Sequence, residues 1–290
     1  MRYDASRKAL YHPESKPVFV DVGRMPGFEF DNSGLSLVNA WWLSNASHLA
    51  YYEVDCLEHE LRKAGLRLVD CFTNKSTQAY LAASDNFVIL AFRGTESDEL
   101  ADLKVDADIR LTQVKDEARV HRGFLTALDE VWVEVDQRLQ GLATQGLATW
   151  YTGHSLGAAL ATLAAVRRKP DALYTFGSPR VGNKGFVRLL DGVPAHRIVN
   201  CSDVATTVPA RSFGYRHVGE LVFITSAAGL LLNPPPSRVF FSKMVGIVKF
   251  FAALPWFRRG MVSARPFADH AIVNYTAALV EASARDPGVL

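Results

Sequence analysis

The chain has 290 residues, of which 49% are hydrophobic, 11% aromatic and 21% charged. These proportions exclude a disordered, collagenous or coiled-coil protein as a whole, and the length suffices for one large domain or two ordinary ones. Thirty-two Lys and Arg against thirty Asp and Glu leave a formal net charge of +2, so the overall electrostatics offer nothing to nucleic acid. Cys56, Cys71 and Cys201 are too few and too scattered for a disulfide scaffold or a zinc site, and an odd count favours a reducing compartment.

Residues 1–34 carry charges and turn formers but no apolar stretch of the signal-peptide kind. They are expected to wrap the surface of a single domain covering residues 35–290. No run reaches the ~18 apolar residues of a spanning helix; the nearest, Met244 to Phe257, is short and holds Lys249 and Pro255. The chain thus reads as soluble, cytoplasmic or peripheral to a membrane, with secretion by another route left open.

Apolar residues at helical spacing from Ser36 to Tyr52 predict the first long helix, and Cys56 to Ala64 extends it after a break. Leu66 to Phe72, Thr77 to Ala83 and Phe87 to Phe92 read as strands. A helix over Leu125 to Leu142 follows, then a short strand over Ala148 to Thr152 and a small-residue helix over Ala158 to Arg168. Leu173 to Phe176, Arg197 to Asn200 and Leu221 to Thr225 are further short strands, and Ala271 to Ala284 is a closing helix. Strands alternating with helices predict an α/β fold, a mostly parallel sheet covered on both faces. In such sheets function gathers at the carboxyl ends of the strands.

At one of those ends stands Gly153-His154-Ser155-Leu156-Gly157. A G-x-S-x-G match alone is weak, and its bland reading is a Gly-rich turn. Here it follows a strand and opens an Ala-rich run of high helix propensity. Strand, sharp turn and helix make a nucleophile elbow, in which the glycines keep the crossing elements close and the helix N-terminus favours a developing oxyanion. Ser155 is the candidate nucleophile.

The sequence resembles the class 3 (fungal-type) lipases of the α/β-hydrolase superfamily from about Leu35 to Leu279. The resemblance rests on Phe92-Arg93-Gly94-Thr95, an acidic Ser97-Asp98…Asp102-Leu103 stretch, His121-Arg122-Gly123-Phe124, the serine elbow and Phe176 to Asn183. Val199 to Asp203, Phe213 to His217 and a late histidine complete the series. Leu100 stands where the family usually carries a lid tryptophan, and the segment between Asp203 and the last histidine is long and apolar.

A serine hydroxyl attacks well only when a neutral imidazole takes its proton and a carboxylate steadies the imidazolium. In this superfamily the order is Ser, acid, His. Among the later acids, Asp171 and Asp191 suit solvated loops, whereas Asp203 follows the strand Arg197–Asn200 at its carboxyl end. Among the later histidines, His196 starts a strand, and for His217 the resemblance implies a structural role. His270 lies in the last loop, where the superfamily places its base. Asp203 and His270 are the candidate acid and base; His121 and His154 are expected to bond to backbone. The oxyanion donors would be the Leu156 N–H and, as the resemblance implies, Thr95. No metal-binding or phosphate-loop pattern occurs, and no cofactor is expected.

Residues 221–268 hold no acid but six basic residues, Arg238, Lys243, Lys249, Arg258, Arg259 and Arg265. Phe240, Phe241, Met244, Val245, Ile247, Val248, Phe251 and Leu254 form a broad apolar stripe, with Ser242, Gly246 and Lys249 opposite. One reading is a buried helix beside an acyl pocket. The other is a lid or membrane-surface element suited to anionic lipid, with Phe240, Lys243, Met244, Lys249, Phe251, Arg258 and Arg259 as its contacts. Together these features read as a serine hydrolase of lipid esters, of the triacylglycerol lipase or esterase type. A phospholipase A1 and a feruloyl-type esterase are the enzymatic rivals. A non-catalytic lipase-like interaction protein is disfavoured by the complete Ser, Asp and His set. Neither nucleic acid nor a particular oligomeric state is implied.

Overall fold

The protein is described by a computed structural model covering residues 3–20, 22–95, 109–143, 145–253 and 263–285. The acidic stretch Glu96 to Asp102, with Leu100, lies outside the described residues, as do Leu254, Arg258 and Arg259. The strands are β1 (Arg67–Asn74), β2 (Thr77–Ala83), β3 (Phe87–Phe92), β4 (Leu111–Lys115), β5 (Ala118–His121), β6 (Ala148–His154), β7 (Ala172–Phe176), β8 (Ala195–Asn200), β9 (Glu220–Ile224) and β10 (Leu230–Leu232). The helices are α1 (Arg7–Tyr11), α2 (Leu37–Leu49), α3 (Val54–Lys63), α4 (Arg122–Ala143), α5 (Leu156–Arg167), α6 (Lys184–Arg188), α7 (Pro236–Ala253), α8 (Arg265–Ala268) and α9 (Ile272–Arg285).

Eight strands form one sheet in the order β1-β2-β3-β6-β7-β8-β9-β10, and β4 pairs only with β5. From β3 to β9 all neighbours are parallel; antiparallel pairs stand at both edges. All six residues of β3 and all five of β7 are buried, as expected of strands covered on both faces. One face packs Ile89, Trp150, Tyr174, Phe176 and Ile198 against Trp41 of α2 and Tyr275 of α9. The other packs Leu90, Phe92 and Tyr151 against Leu128 of α4 and Leu160 of α5. Burial of each such side chain contributes about 1.5–3 kcal/mol.

The long predicted elements appear within a few residues of their expected ends. The β4–β5 hairpin and the three-residue β10 were not expected; β4 is largely exposed and polar, so neither its composition nor its length marks it as a strand. α2 starts where the Ser36 side chain accepts a hydrogen bond from Asn39 N at 3.1 Å, a cap for an orphan helix donor. Near the N-terminus, Ala9 and Leu10 pack on Ala271 and Val273. Asp4 and Asn274 exchange two bonds of 2.7 Å, which ties the first residues to α9.

The orientation of α7 reverses the buried-helix reading. Ser242 and Gly246 face inward, while Phe240, Phe241, Met244, Val248 and Phe251 are exposed. The reason is close approach: a Cβ on Gly246 would sit 3.0 Å from Cys201 Sγ and 3.1 Å from Ser226 Cβ. The small-residue face lets the helix seat on the sheet end and turns the aromatic stripe to solvent. No helix among the described residues is long and apolar enough to cross a membrane.

Candidate active site

β6 delivers the chain to Ser155, whose backbone has φ +57° and ψ −125°. That left-handed conformation is costly for a residue with a Cβ and persists where surrounding structure enforces it. A Cβ on Gly153 would strike the Gly157 backbone, and one on Gly157 would strike the Phe92 carbonyl. Glycine at both positions lets the elbow close, and Ser155 projects from the N-terminus of α5, where helix N–H groups lack intrahelical acceptors.

Asp203 follows β8, and His270 occupies the turn between α8 and α9. The structure brings both to Ser155. His270 Nε2 lies 3.0 Å from Ser155 Oγ, and His270 Nδ1 lies 3.0 and 2.9 Å from the two Asp203 oxygens. A carboxylate only accepts, so Nδ1–H donates to Asp203 and Nε2 is left to accept the serine O–H. Ser155 is 1% exposed, and Asp203 and His270 are 0% exposed; away from water the attraction between carboxylate and imidazolium is strengthened.

Asp203 has two further donors, the Ala205 N–H at 2.7 Å and the Tyr275 hydroxyl at 2.5 Å. Burial by itself pushes the carboxyl up, but His270's charge and the hydrogen bonds from His270 and Tyr275 hold it below its ordinary 3.8. Gly177, at φ +60°, passes so near that a Cβ there would lie 2.7 Å from Asp203 Oδ2 and 3.1 Å from His270 Nδ1. Neither Tyr275 nor Gly177 was singled out by sequence reasoning. Gly177 lies within the Phe176 to Asn183 stretch, whereas Tyr275 lies five positions after His270 with no local pattern to flag it.

On the oxyanion side, Leu156 heads α5, so its N–H has no intrahelical acceptor. Gly94 packs against the His154 carbonyl and within 3.2 Å of Ser155 Cβ, measured from the Cβ it lacks. This brings the next residue, Thr95, to the elbow. The Thr95 hydroxyl is buried and has no hydrogen-bond partner among the described residues.

His154 lies beside the candidate base, its ring 4.5 Å from that of His270. Its Nε2 donates to the His270 carbonyl at 2.7 Å, which fixes the tautomer and leaves Nδ1 to accept from the Tyr51 hydroxyl at 2.8 Å. Burial, then the proximity of His270, hold its imidazole well below the ordinary 6.5, so it stays neutral next to the base. His121 Nδ1 accepts from Phe124 N at 3.3 Å, His196 Nε2 donates to Ser33 O at 3.3 Å, and His217 Nε2 donates to Thr206 O at 3.0 Å. Asp171 accepts from Thr149 N at the amino end of β6. The neighbour of the base, Asp269, is engaged by Tyr3, Ser202 N and Arg265.

Residues 89–213 match the family model described as lipase (class 3). Over that stretch the chain is similar to the class 3 lipases. A lipase of Rhizopus niveus is 31% identical over 191 residues, covering 59% of this chain and 48% of its own length. The chloroplastic phospholipase A(1) DAD1 of Arabidopsis thaliana is 44% identical over 96 residues, covering 30% of this chain and 22% of its own. The chain therefore spans about half or less of the curated relatives named here. Among solved structures, a triacylglycerol lipase whose catalytic centre is a serine-protease triad is 25% identical, with a TM-score of 0.57 over 73% of this chain and 82% of that one. The fold is that of the α/β-hydrolases.

Proposed function

We propose that this protein is a serine carboxylic ester hydrolase acting on lipid esters, of the triacylglycerol lipase or esterase type. The observation that carries the proposal is the buried line from Asp203 through His270 to Ser155 Oγ, with 2.9 and 3.0 Å contacts on either side of the imidazole. In this reading Ser155 Oγ attacks the ester carbonyl carbon as His270 Nε2 takes its proton, and Asp203 steadies the imidazolium. The Leu156 and Thr95 N–H groups, with the Thr95 hydroxyl, hold the tetrahedral oxyanion. As the carbon–oxygen bond breaks, His270 returns the proton to the leaving alkoxide. Water, deprotonated by His270, then attacks the acyl-enzyme, and the carboxylate leaves while Ser155 recovers its proton. Each oxyanion donor contributes about 3–4 kcal/mol of transition-state stabilisation.

The exposed face of α7 supports peripheral contact with lipid. Phe240, Phe241 and Val248 are 67%, 69% and 62% exposed, with Met244 and Phe251 at 45% each, and Lys249 is exposed on the same helix. An apolar stripe on a helix without acidic residues fits the boundary of an anionic lipid surface. Lys243 departs from this face and is half-buried.

A second reading, phospholipase A1 activity, is favoured by the 44% identity to the plant phospholipase over 96 residues. Fatty-acid release from tributyrin emulsion, phosphatidylcholine vesicles and p-nitrophenyl butyrate separates the readings. Turnover of emulsion and soluble ester, lost in Ser155→Ala, is expected. Preference for the sn-1 ester of the phospholipid would replace the first reading with the second, and turnover of none of the three would overturn both.

A further inference from the structure

Beside α7 is a pocket of about 350 Å³ between that helix, the sheet face at β8 and β9, and the loop after Asp203. Arg180, Arg197, His217 and Lys243 line it together with Val239 and Phe240. Among the described residues no acid contributes to its wall, and none of the three cations has an ion-pair partner. Arg180 places one guanidinium nitrogen on the Thr207 and Pro209 carbonyls, yet its Nε is buried without an acceptor. Among the described residues Arg197 Nε and His217 Nδ1 are likewise buried and unpartnered. Burial, together with the neighbouring Arg180 charge, brings the Arg197 guanidinium down to about 10. Burial also lowers the Lys243 ammonium.

Like charges with unused donors in a half-buried pocket are unfavourable unless an external anion completes them. Three cations exceed what a single carboxylate would balance. Arginine forks beside a lysine suit the several oxygens of a phosphate, which carries about −1.5 to −2 as a monoester at neutral pH. Phe240 joins the pocket to the exposed face of α7, so an anion seated here would have apolar side chains next to it.

We propose that this pocket binds the phosphate head group of an anionic phospholipid, holding α7 against the lipid surface. The inference concerns binding and is tested in the Ser155→Ala protein, so its outcome is independent of ester hydrolysis. Co-sedimentation is measured with phosphatidylcholine vesicles containing either phosphatidate or phosphatidylserine, adjusted to equal surface charge. Glycerol 3-phosphate and inorganic phosphate are titrated in parallel by calorimetry. Tighter binding to phosphatidate is expected, and Arg197→Met and Lys243→Met should each weaken it by about tenfold or more, as loss of a charge-assisted hydrogen bond implies. Lys249→Gln, which removes an exposed charge, should weaken binding to both vesicle types alike and preserve the preference. Lys243→Met keeps the test decisive if Arg197→Met unfolds. Equal binding to both vesicle types, or a preference unaffected by these two substitutions, overturns the proposal. Glycerol 3-phosphate or inorganic phosphate binding as tightly as the vesicles overturns the lipid source.

Discussion

The segment after β8 separates two groups of charge, one buried and one half-buried, that are organised in opposite ways. On one side Asp203 is satisfied by His270, Tyr275 and the Ala205 N–H. On the other, Arg180, Arg197 and Lys243 share a pocket with no acid in its wall among the described residues. A paired charge holds a fixed geometry, because breaking it would strand a buried ion. An unpaired cation leaves binding energy for something outside the chain. The same contrast recurs within the proposed catalytic corner itself. There the acid side is fully bonded, while the buried Thr95 hydroxyl has no partner among the described residues and, in the proposed reaction, would meet the charge that develops on the carbonyl oxygen.

The largest effects should follow from breaking the paired side. Asp203→Asn and His270→Ala are each expected to lower kcat on p-nitrophenyl butyrate by about a thousandfold or more. The double variant should be little worse than the worse single variant, since triad members act as a unit. Additive losses in the double variant would contradict a single relay, and loss with His217→Ala instead would move the base elsewhere.

Next in size is the unpaired hydroxyl. Thr95→Val should cut kcat by about tenfold to a hundredfold with little change in KM, because an oxyanion donor acts on the transition state; Thr95→Ser should recover most of it. Equal turnover in both variants would assign the site's contribution to the backbone N–H alone.

A smaller effect tests what holds Asp203 below its ordinary value. Tyr275→Phe removes one of the donors that do so. A carboxyl depressed in the folded state adds stability above its unfolded value, and that stability is lost as pH falls through the folded one. The variant should therefore melt a few degrees lower at neutral pH, and its deficit should shrink as pH drops past 3.8. A deficit independent of pH would mean that Tyr275 contributes packing only.

The elbow and the central strands were legible in the sequence because their signals are local. Gly153, Ser155 and Gly157 sit within five residues, and Phe87 to Phe92 is an unbroken apolar run. Asp203 and His270 were legible through strand order and chain order. Tyr275 and the pocket were not, because their partners meet only through the fold. Arg180, Arg197 and Lys243 come from three separate elements, and nothing at any one of them distinguishes it from a solvated cation. The apolar stripe of α7 was visible in the sequence, but its direction depends on how closely Gly246 approaches Cys201, a contact between segments 45 positions apart by numbering.

The central claim is that Ser155 is the nucleophile of an ester hydrolase, and covalent trapping tests it most directly. The protein is treated with a p-nitrophenyl organophosphate, then analysed by intact mass, peptide mapping and residual activity on p-nitrophenyl butyrate. The account predicts one adduct, on the peptide carrying Ser155, formed in step with complete loss of activity and absent from Ser155→Ala. An adduct on another residue that tracks the loss of activity, or full activity in protein labelled at Ser155, would contradict it.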